Sequence, residues 1–171
     1  MTPFRIGFGY DVHAMKEGHP FWLGGIQLEH THGPFGHSDA DVLIHVICDA
    51  LLGAANLRDI GYHFSDKDPK YKGIDSKKLL AEVMLLLREK GYEVGNIDIT
   101  VCLEQPKVNP HIDKMKQVLC EVMAIRENDL SIKATTTEKL GFVGREEGIS
   151  AYAVALIYET EKPHMERDYQ G

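Results

Sequence analysis

Asp11 and His13 stand two residues apart in an alternating run, and His45 lies further along a helical stretch, so the chain offers one carboxylate and two imidazoles to a common point. Zinc takes His nitrogen and carboxylate oxygen in a tetrahedron, and a catalytic zinc site keeps one position open. Residues two apart on a strand face the same way, which would set Asp11 beside His13. The chain has nine histidines and therefore many accidental pairings. The same residues also read as a polar strand end facing solvent and a hydrogen-bonded core histidine. A second group is Thr135-Thr136-Thr137-Glu138, whose hydroxyls and N–H groups could hold a phosphate while Glu138 holds Mg²⁺. It also reads as a Thr-rich strand end with an exposed Glu. A third is His37-Ser38, with Ser38 read as a helix N-cap and Asp41, three positions on, as its capping-box partner. A helix N-terminus collects free N–H groups and a positive dipole end, which suits a phosphate.

These groups need elements to hold them. Phe4, Ile6, Phe8 and Tyr10 alternate with Arg5, Gly7 and Gly9, the period of a strand running into Asp11 and His13. Phe21 to Leu28 reads as a second strand interrupted at Gly24-Gly25, followed by a Gly/Pro-rich connection carrying solvated His30 and His32. Leu43, Val46, Ile47, Ala50, Leu51 and Ala54 form a helical stripe behind Ser38, with Gly53 and Asn56 as stop signals. The charged stretch from Tyr62 to Gly73, with Asp68-Pro69, is a loop whose length reads as either a functional lid or mobile filler. Asp75 caps a second helix to about Lys90, and Ile97 to Leu103 alternates as a strand. Asn109 and Pro110 open a third helix. Leu130 to Ala134 and Ile149 to Tyr158 complete the strands. The pattern predicts an α+β fold, a two-layer sandwich of a mainly four-stranded sheet with helices on one face. One catalytic domain over residues 1–160 and a polar tail over 161–171 are expected.

Composition narrows the classes. A chain of 171 residues suffices for one domain with a real core. Net charge of −7 argues against nucleic acid or an anionic membrane surface as partner, and it obliges any phosphate ligand to find local positive charge. No apolar run reaches the ~18 residues of a membrane span, and no secretory signal pattern opens the chain. Three separated cysteines, Cys48, Cys102 and Cys120, read as reduced core thiols of a cytoplasmic protein.

Asp11-Val12-His13, His37-Ser38-Asp39-Ala40-Asp41-Val42 with His45, Asp59-Ile60-Gly61, and Lys133 through Phe142 with Gly144-Arg145 occur in that order. Together they resemble the 2-C-methyl-D-erythritol 2,4-cyclodiphosphate synthase family, from Arg5 to about Tyr158. The resemblance implies a ferredoxin-like fold assembled as a homotrimer and a metal-dependent phosphorus-oxygen lyase of the non-mevalonate isoprenoid route. It makes Asp11, His13 and His45 the zinc ligands, and Glu138 the holder of Mg²⁺ or Mn²⁺. His37 and Thr136 would position the reacting phosphates. Ser38, Asp59, Ile60 and Gly61 would hold the methylerythritol part under a lid of Phe64, Asp66 and Asp68. Pro106, Lys107, Thr135 and Thr137 would take the cytidine end of a cytidine diphosphate-linked substrate. Phe142 and Arg145 would line a central channel where some family members bind isoprenoid diphosphates. The lid reads Phe64-Ser65-Asp66-Lys67-Asp68 where the family often has Phe-Pro-Asp-x-Asp, and Leu103-Glu104-Gln105 is acidic where the cytosine end is expected. The monofunctional form is expected. The rival readings are a metal-dependent nucleotide diphosphate hydrolase and a non-catalytic isoprenoid diphosphate-binding protein.

Overall fold

The computed structural model describes residues 4–160, so the expected polar tail over 161–171 lies outside the described residues. β1 (Phe4–Glu17) is followed by a small hairpin, β2 (Phe21–Leu23) and β3 (Ile26–Leu28), and by the short strand β4 (His32–Phe35). Then come α1 (Val42–Ala54), the single turn α2 (Ile60–His63), α3 (Ser76–Glu89) and β5 (Tyr92–Cys102). α4 (Ile112–Met123), β6 (Leu130–Thr135), the turn α5 (Gly141–Gly144) and β7 (Gly148–Glu159) finish the chain. No helix among the described residues is long and apolar enough to cross a membrane.

The main sheet has the order β4-β1-β7-β5-β6. Four of its strands were anticipated. The fifth, β4, is a short edge strand that pairs antiparallel with β1, so His32 opens a strand rather than lying in a loop. β5 and β6 run parallel while the other pairs run antiparallel. That corrects the ferredoxin-like expectation, whose element order is β-α-β-β-α-β. Here the long strands and helices run β-α-α-β-α-β-β, and β7 inserts between β1 and β5. Parallel neighbours need a long crossover, which α4 supplies between β5 and β6.

The period of β1 was legible but its phase is the reverse of a core strand. Gly7 and Gly9 are buried, whereas Ile6 and Phe8 are 63% and 62% exposed. The glycines let α1 lie directly on the strand: a Cβ built on Gly7 would fall 1.9 Å from the Ala50 carbonyl oxygen. The large side chains stand on the opposite face with Tyr10, Val12, Tyr152 and Val154, all exposed in this chain. Gly7→Ala should therefore push α1 off the sheet and cost about 3 kcal/mol, the upper range for overpacking, because helix backbone cannot swing aside as a side chain can. A urea midpoint within error of wild type would contradict this contact.

α1 begins at Val42, three residues later than a Ser38 cap predicts, and Asp41 is the N-cap. Asp41 is fully buried. Its carboxylate accepts from Ile44 N at 3.1 Å, from Gly24 N at 2.9 Å and from Gly25 N at 2.7 Å. Gly24 and Gly25 have φ of +60° and +78°, which makes the β2–β3 connection a tight turn whose N–H groups point at the helix start. One carboxylate thus joins the hairpin to α1. Burial pushes its carboxyl up, opposed by the three N–H donors. The second helix begins as expected, with Asp75 accepting from Lys77 N at 2.9 Å. The third starts later: Asn109–His111 is a 3₁₀ turn, and α4 proper begins at Ile112.

Candidate metal centre and nucleotide cleft

β1 brings Asp11 and His13 to one side of the strand, and α1, packed on the glycine face, brings His45 down to them. Asp11 Oδ2 lies 3.0 Å from His13 Nε2 and 2.9 Å from His45 Nδ1, and the two ring nitrogens are 3.1 Å apart. Zinc bonds of 2.0–2.1 Å to nitrogen and oxygen in a tetrahedron place donors about 3.3 Å apart, so this triangle fits one ion with slight expansion. These three form the sole group of His, Cys, Asp and Glu side chains able to share an ion among the described residues. Three protein donors leave the fourth position to a ligand. Burial alone would raise the Asp11 carboxyl, but hydrogen bonds and charge from His13 and His45 hold it well below the usual carboxylate range. Burial would likewise lower the His45 imidazole, and the Asp11 carboxylate outweighs it and raises it.

The triangle opens onto a cleft of about 400 Å³ lined by His13, His37, Ser38, His45, Ile60, Gly61, Phe64, Asp66, Tyr71, Ile74 and Leu79. His37, Ser38, Ile60, Gly61, Phe64 and Asp66 are thereby brought to the metal centre from two separate segments. At the helix end the Asp41 carboxylate takes the Ile44 N–H. Ser38 lies in the preceding loop, where its Oγ accepts from Ala40 N at 3.1 Å. Asp59 precedes α2 and makes no capping bond of its own; Ile60 N instead donates to Asp49 Oδ1 at 2.8 Å. The Tyr62–Gly73 stretch is partly structured: Asp68 accepts from Lys70 N at 2.9 Å as the cap of a 3₁₀ turn, and Phe64 meets Tyr71 edge-on at 5.5 Å.

A second cleft, about 340 Å³, gathers Pro106, Lys107, Thr135 and Thr136 between the β5 and β6 ends and the start of α4. Its threonine loop is shaped by Glu104, 5% exposed, whose Oε1 accepts from Thr137 N at 3.1 Å and Lys139 N at 3.3 Å, and whose Oε2 meets Lys139 Nζ at 2.9 Å. The Lys139 ammonium holds the Glu104 carboxyl below its ordinary value. Glu138 and Lys139 adopt φ of +53° and +64°, a left-handed path that this carboxylate pins. Glu138 Oε1 accepts from Thr136 Oγ1 at 3.0 Å, and Thr137 Oγ1 donates to the Leu140 carbonyl at 2.7 Å. Arg145 forms a two-point pair with Glu147 at 3.0 and 2.9 Å, and Phe142 lies on α5 against Gly148.

No residue lines both clefts. Within one chain the metal triangle and Thr135-Thr136 serve different cavities, and Thr137 and Glu138 line neither. Sequence reasoning missed Asp39, Asp49, Ser76 and Glu104 as the residues that shape them, and placed Asp41 inside the cap rather than as the cap itself. Glu104 had a signal, an acid where none was expected; the others bond to partners distant in sequence. Cys48, Cys102 and Cys120 are free thiols, and burial raises all three.

The fold and the open three-donor centre define an α+β protein with a candidate metal site in one cleft and a threonine loop in another. The YgbB family model matches residues 4–158. A 2-C-methyl-D-erythritol 2,4-cyclodiphosphate synthase of Porphyromonas gingivalis is 70% identical over 155 residues, covering 91% of this chain and 96% of the relative. One of Cytophaga hutchinsonii is 65% identical over 153 residues, covering 90% and 96%. Among solved structures, the CDP complex of Plasmodium falciparum IspF superposes with a TM-score of 0.82 at 34% identity, covering 94% of this chain and 99% of that one. The chain belongs to the YgbB family, that of the 2-C-methyl-D-erythritol 2,4-cyclodiphosphate synthases.

Proposed function

We propose that this chain converts 4-diphosphocytidyl-2-C-methyl-D-erythritol 2-phosphate to 2-C-methyl-D-erythritol 2,4-cyclodiphosphate and CMP, as a metal-dependent lyase of the non-mevalonate isoprenoid route. Membership of the family supports the reaction, and the open Asp11-His13-His45 triangle is the observation that carries metal dependence. An oxygen of the 2-phosphate attacks the β-phosphorus, the bond from that phosphorus to the CMP oxygen breaks, and its electron pair leaves with CMP. Phosphoryl transfer of this kind asks for positioning and charge stabilisation more than for covalent help. Bringing the two ends of a flexible substrate together is an entropy problem, worth up to about 7–11 kcal/mol in the best intramolecular cases.

Zn²⁺ held by Asp11, His13 and His45, with Mg²⁺ or Mn²⁺ held by Glu138, would supply Lewis-acid polarisation and charge neutralisation to an acidic protein. His37 and Thr136 orient the reacting phosphates. Ser38, Asp59, Ile60 and Gly61 grip the methylerythritol hydroxyls, with Phe64, Asp66 and Asp68 closing over them. Pro106, Lys107, Thr135 and Thr137 take the cytidine end, and Phe142 and Arg145 face a channel able to accept an isoprenoid diphosphate. Separated reduced cysteines fit a cytoplasmic setting. Incubation with the substrate, followed by phosphorus NMR, should give the cyclic diphosphate and CMP. A hydrolysed linear diphosphate or unchanged substrate would overturn the proposal in favour of a hydrolase or a binding protein.

The site is further proposed to be shared across a homotrimer. Two observations support this: the metal and nucleotide clefts are separate within one chain, and the outer face of β1 and β7 carries large exposed apolar side chains, the mark of an association surface. Symmetric rings repeat one interface at every boundary. His45→Ala spoils the metal half of a site, and Thr136→Ala with Lys107→Ala spoils the nucleotide half. Each alone should be nearly inactive, and mixed trimers should regain part of the activity. Mixed trimers that form and stay inactive would place the whole site in one chain.

A further inference from the structure

His45 has more partners than a bare ligand requires. Its Nδ1 faces Asp11 and His13, while Nε2, on the other side of the ring, lies 3.1 Å from Ser76 Oγ and 3.1 Å from Ser38 Oγ. Ser76 is the first residue of α3 and fully buried. A single carboxylate takes both of its donors: Asp39 Oδ2 accepts from Ser76 N at 2.9 Å, and Asp39 Oδ1 accepts a short bond from Ser76 Oγ. Asp39 is itself fixed, its N donating to the Ile74 carbonyl at 3.1 Å and its Oδ1 accepting from Asp41 N at 3.2 Å.

The directions of these bonds follow from the groups. A carboxylate only accepts, so the Ser76 hydroxyl proton is committed to Asp39. Toward His45 the Ser76 oxygen is then left as an acceptor, and Nε2 must carry the ring proton. Nδ1 is then the nitrogen free to exchange its hydrogen bond to Asp11, 2.9 Å away, for a metal, its lone pair aimed between Asp11 and His13. We propose that Asp39 and Ser76 are positioning residues that lock His45 in its Nε2–H tautomer and so present Nδ1 to a divalent metal. This rests on the metal reading of the triangle. A ligating imidazole commonly donates its other N–H to a neighbour that sets tautomer and ring orientation. Ser38 joins the same network: its oxygen accepts from Ala40 N and lies within reach of His45 Nε2–H, and its Oγ is 3.4 Å from Ser76 Oγ, which can accept its proton.

Zinc itself is the probe. In zinc-loaded wild type labelled with ¹⁵N-histidine, the His45 resonances should show a protonated Nε2 and a metal-bound Nδ1. Ser76→Ala removes the hydroxyl and keeps the backbone bond to Asp39, and alanine suits a first helical turn. Its zinc Kd, measured by chelator competition, should weaken about 10–100-fold, and Ser76→Thr should recover most of that loss. A purely structural role would lower the unfolding midpoint of the metal-free protein without moving the zinc Kd. Zinc bound through Nε2 in wild type, or unchanged affinity in Ser76→Ala, overturns the relay while leaving the metal site standing. Should Ser76→Ala not fold, the wild-type spectrum alone decides. A wild type that takes up no zinc removes the metal reading and the relay together, a different result from zinc uptake indifferent to Ser76.

Discussion

His45→Ala should empty the metal centre. Protein purified without chelator is expected to hold one zinc per chain, and the variant to hold background levels only. Two donors, Asp11 and His13, cannot maintain a tight tetrahedral site. A bound divalent ion contributes several kcal/mol of charge stabilisation in phosphoryl chemistry, and each 1.36 kcal/mol is a factor of ten, so turnover should fall by about 10³-fold or more. The variant should still fold, because the α1 residues that pack on the β1 glycines are Val46, Ala50 and Ala54, and His45 is not among them. A circular dichroism spectrum like that of wild type, with zinc and turnover both lost, is the expected combination. Full zinc occupancy in His45→Ala would remove His45 from the ligand set.

Asp41→Ala should be the most damaging single change to stability outside the centre. It leaves the N–H groups of Gly24, Gly25 and Ile44 without acceptors in a dry setting. Loss of an N-cap costs about 1 kcal/mol, and each further buried donor left unpaired costs about 1–3 kcal/mol. The sum, about 4 kcal/mol, is a large share of the 5–15 kcal/mol that holds a typical domain together. Urea unfolding at fixed protein concentration reads it directly. Asp41→Asn keeps one acceptor oxygen and should fall between the two. A loss under about 1 kcal/mol in Asp41→Ala would mean that water reaches these groups. Because α1 carries His45, the same substitution should also weaken zinc binding.

The parts of the molecule set by local spacing were legible from residues alone. A strand repeats every two residues, so Asp11 beside His13 followed directly, as did the runs of β6 and β7 and the second half of β5, which begins at Tyr92 rather than Ile97. Asp75 as the cap of α3 was equally readable, because its bond to Lys77 N spans two positions. What depended on distant partners was not. Ser38 and Asp41 match a capping box, yet Asp41 itself caps α1, and two of its three donors come from a hairpin 16 and 17 residues upstream. Alternation gives a strand its period and not its phase, and on β1 the glycines rather than the phenylalanines face the helices. Gly33-Pro34 read as a connection, although β4 needs only an edge place beside β1. Glu104 stood out as an unexpected acid, but its grip on Thr137 and Lys139 depends on β5 lying alongside β6. The centre's ligands were thus readable; the carboxylates that hold it in shape were not.

The reversed face of β1 has a consequence for how this protein meets heat and dilution. With Phe8 and Ile6 outside and Gly7 and Gly9 inside, much of the apolar area that a solitary domain would bury in its own core waits for neighbours. In the proposed trimer, folding and association form one equilibrium among three chains, governed by mass action. Its melting temperature should climb as the solution is concentrated, and simple dilution should act as a denaturant.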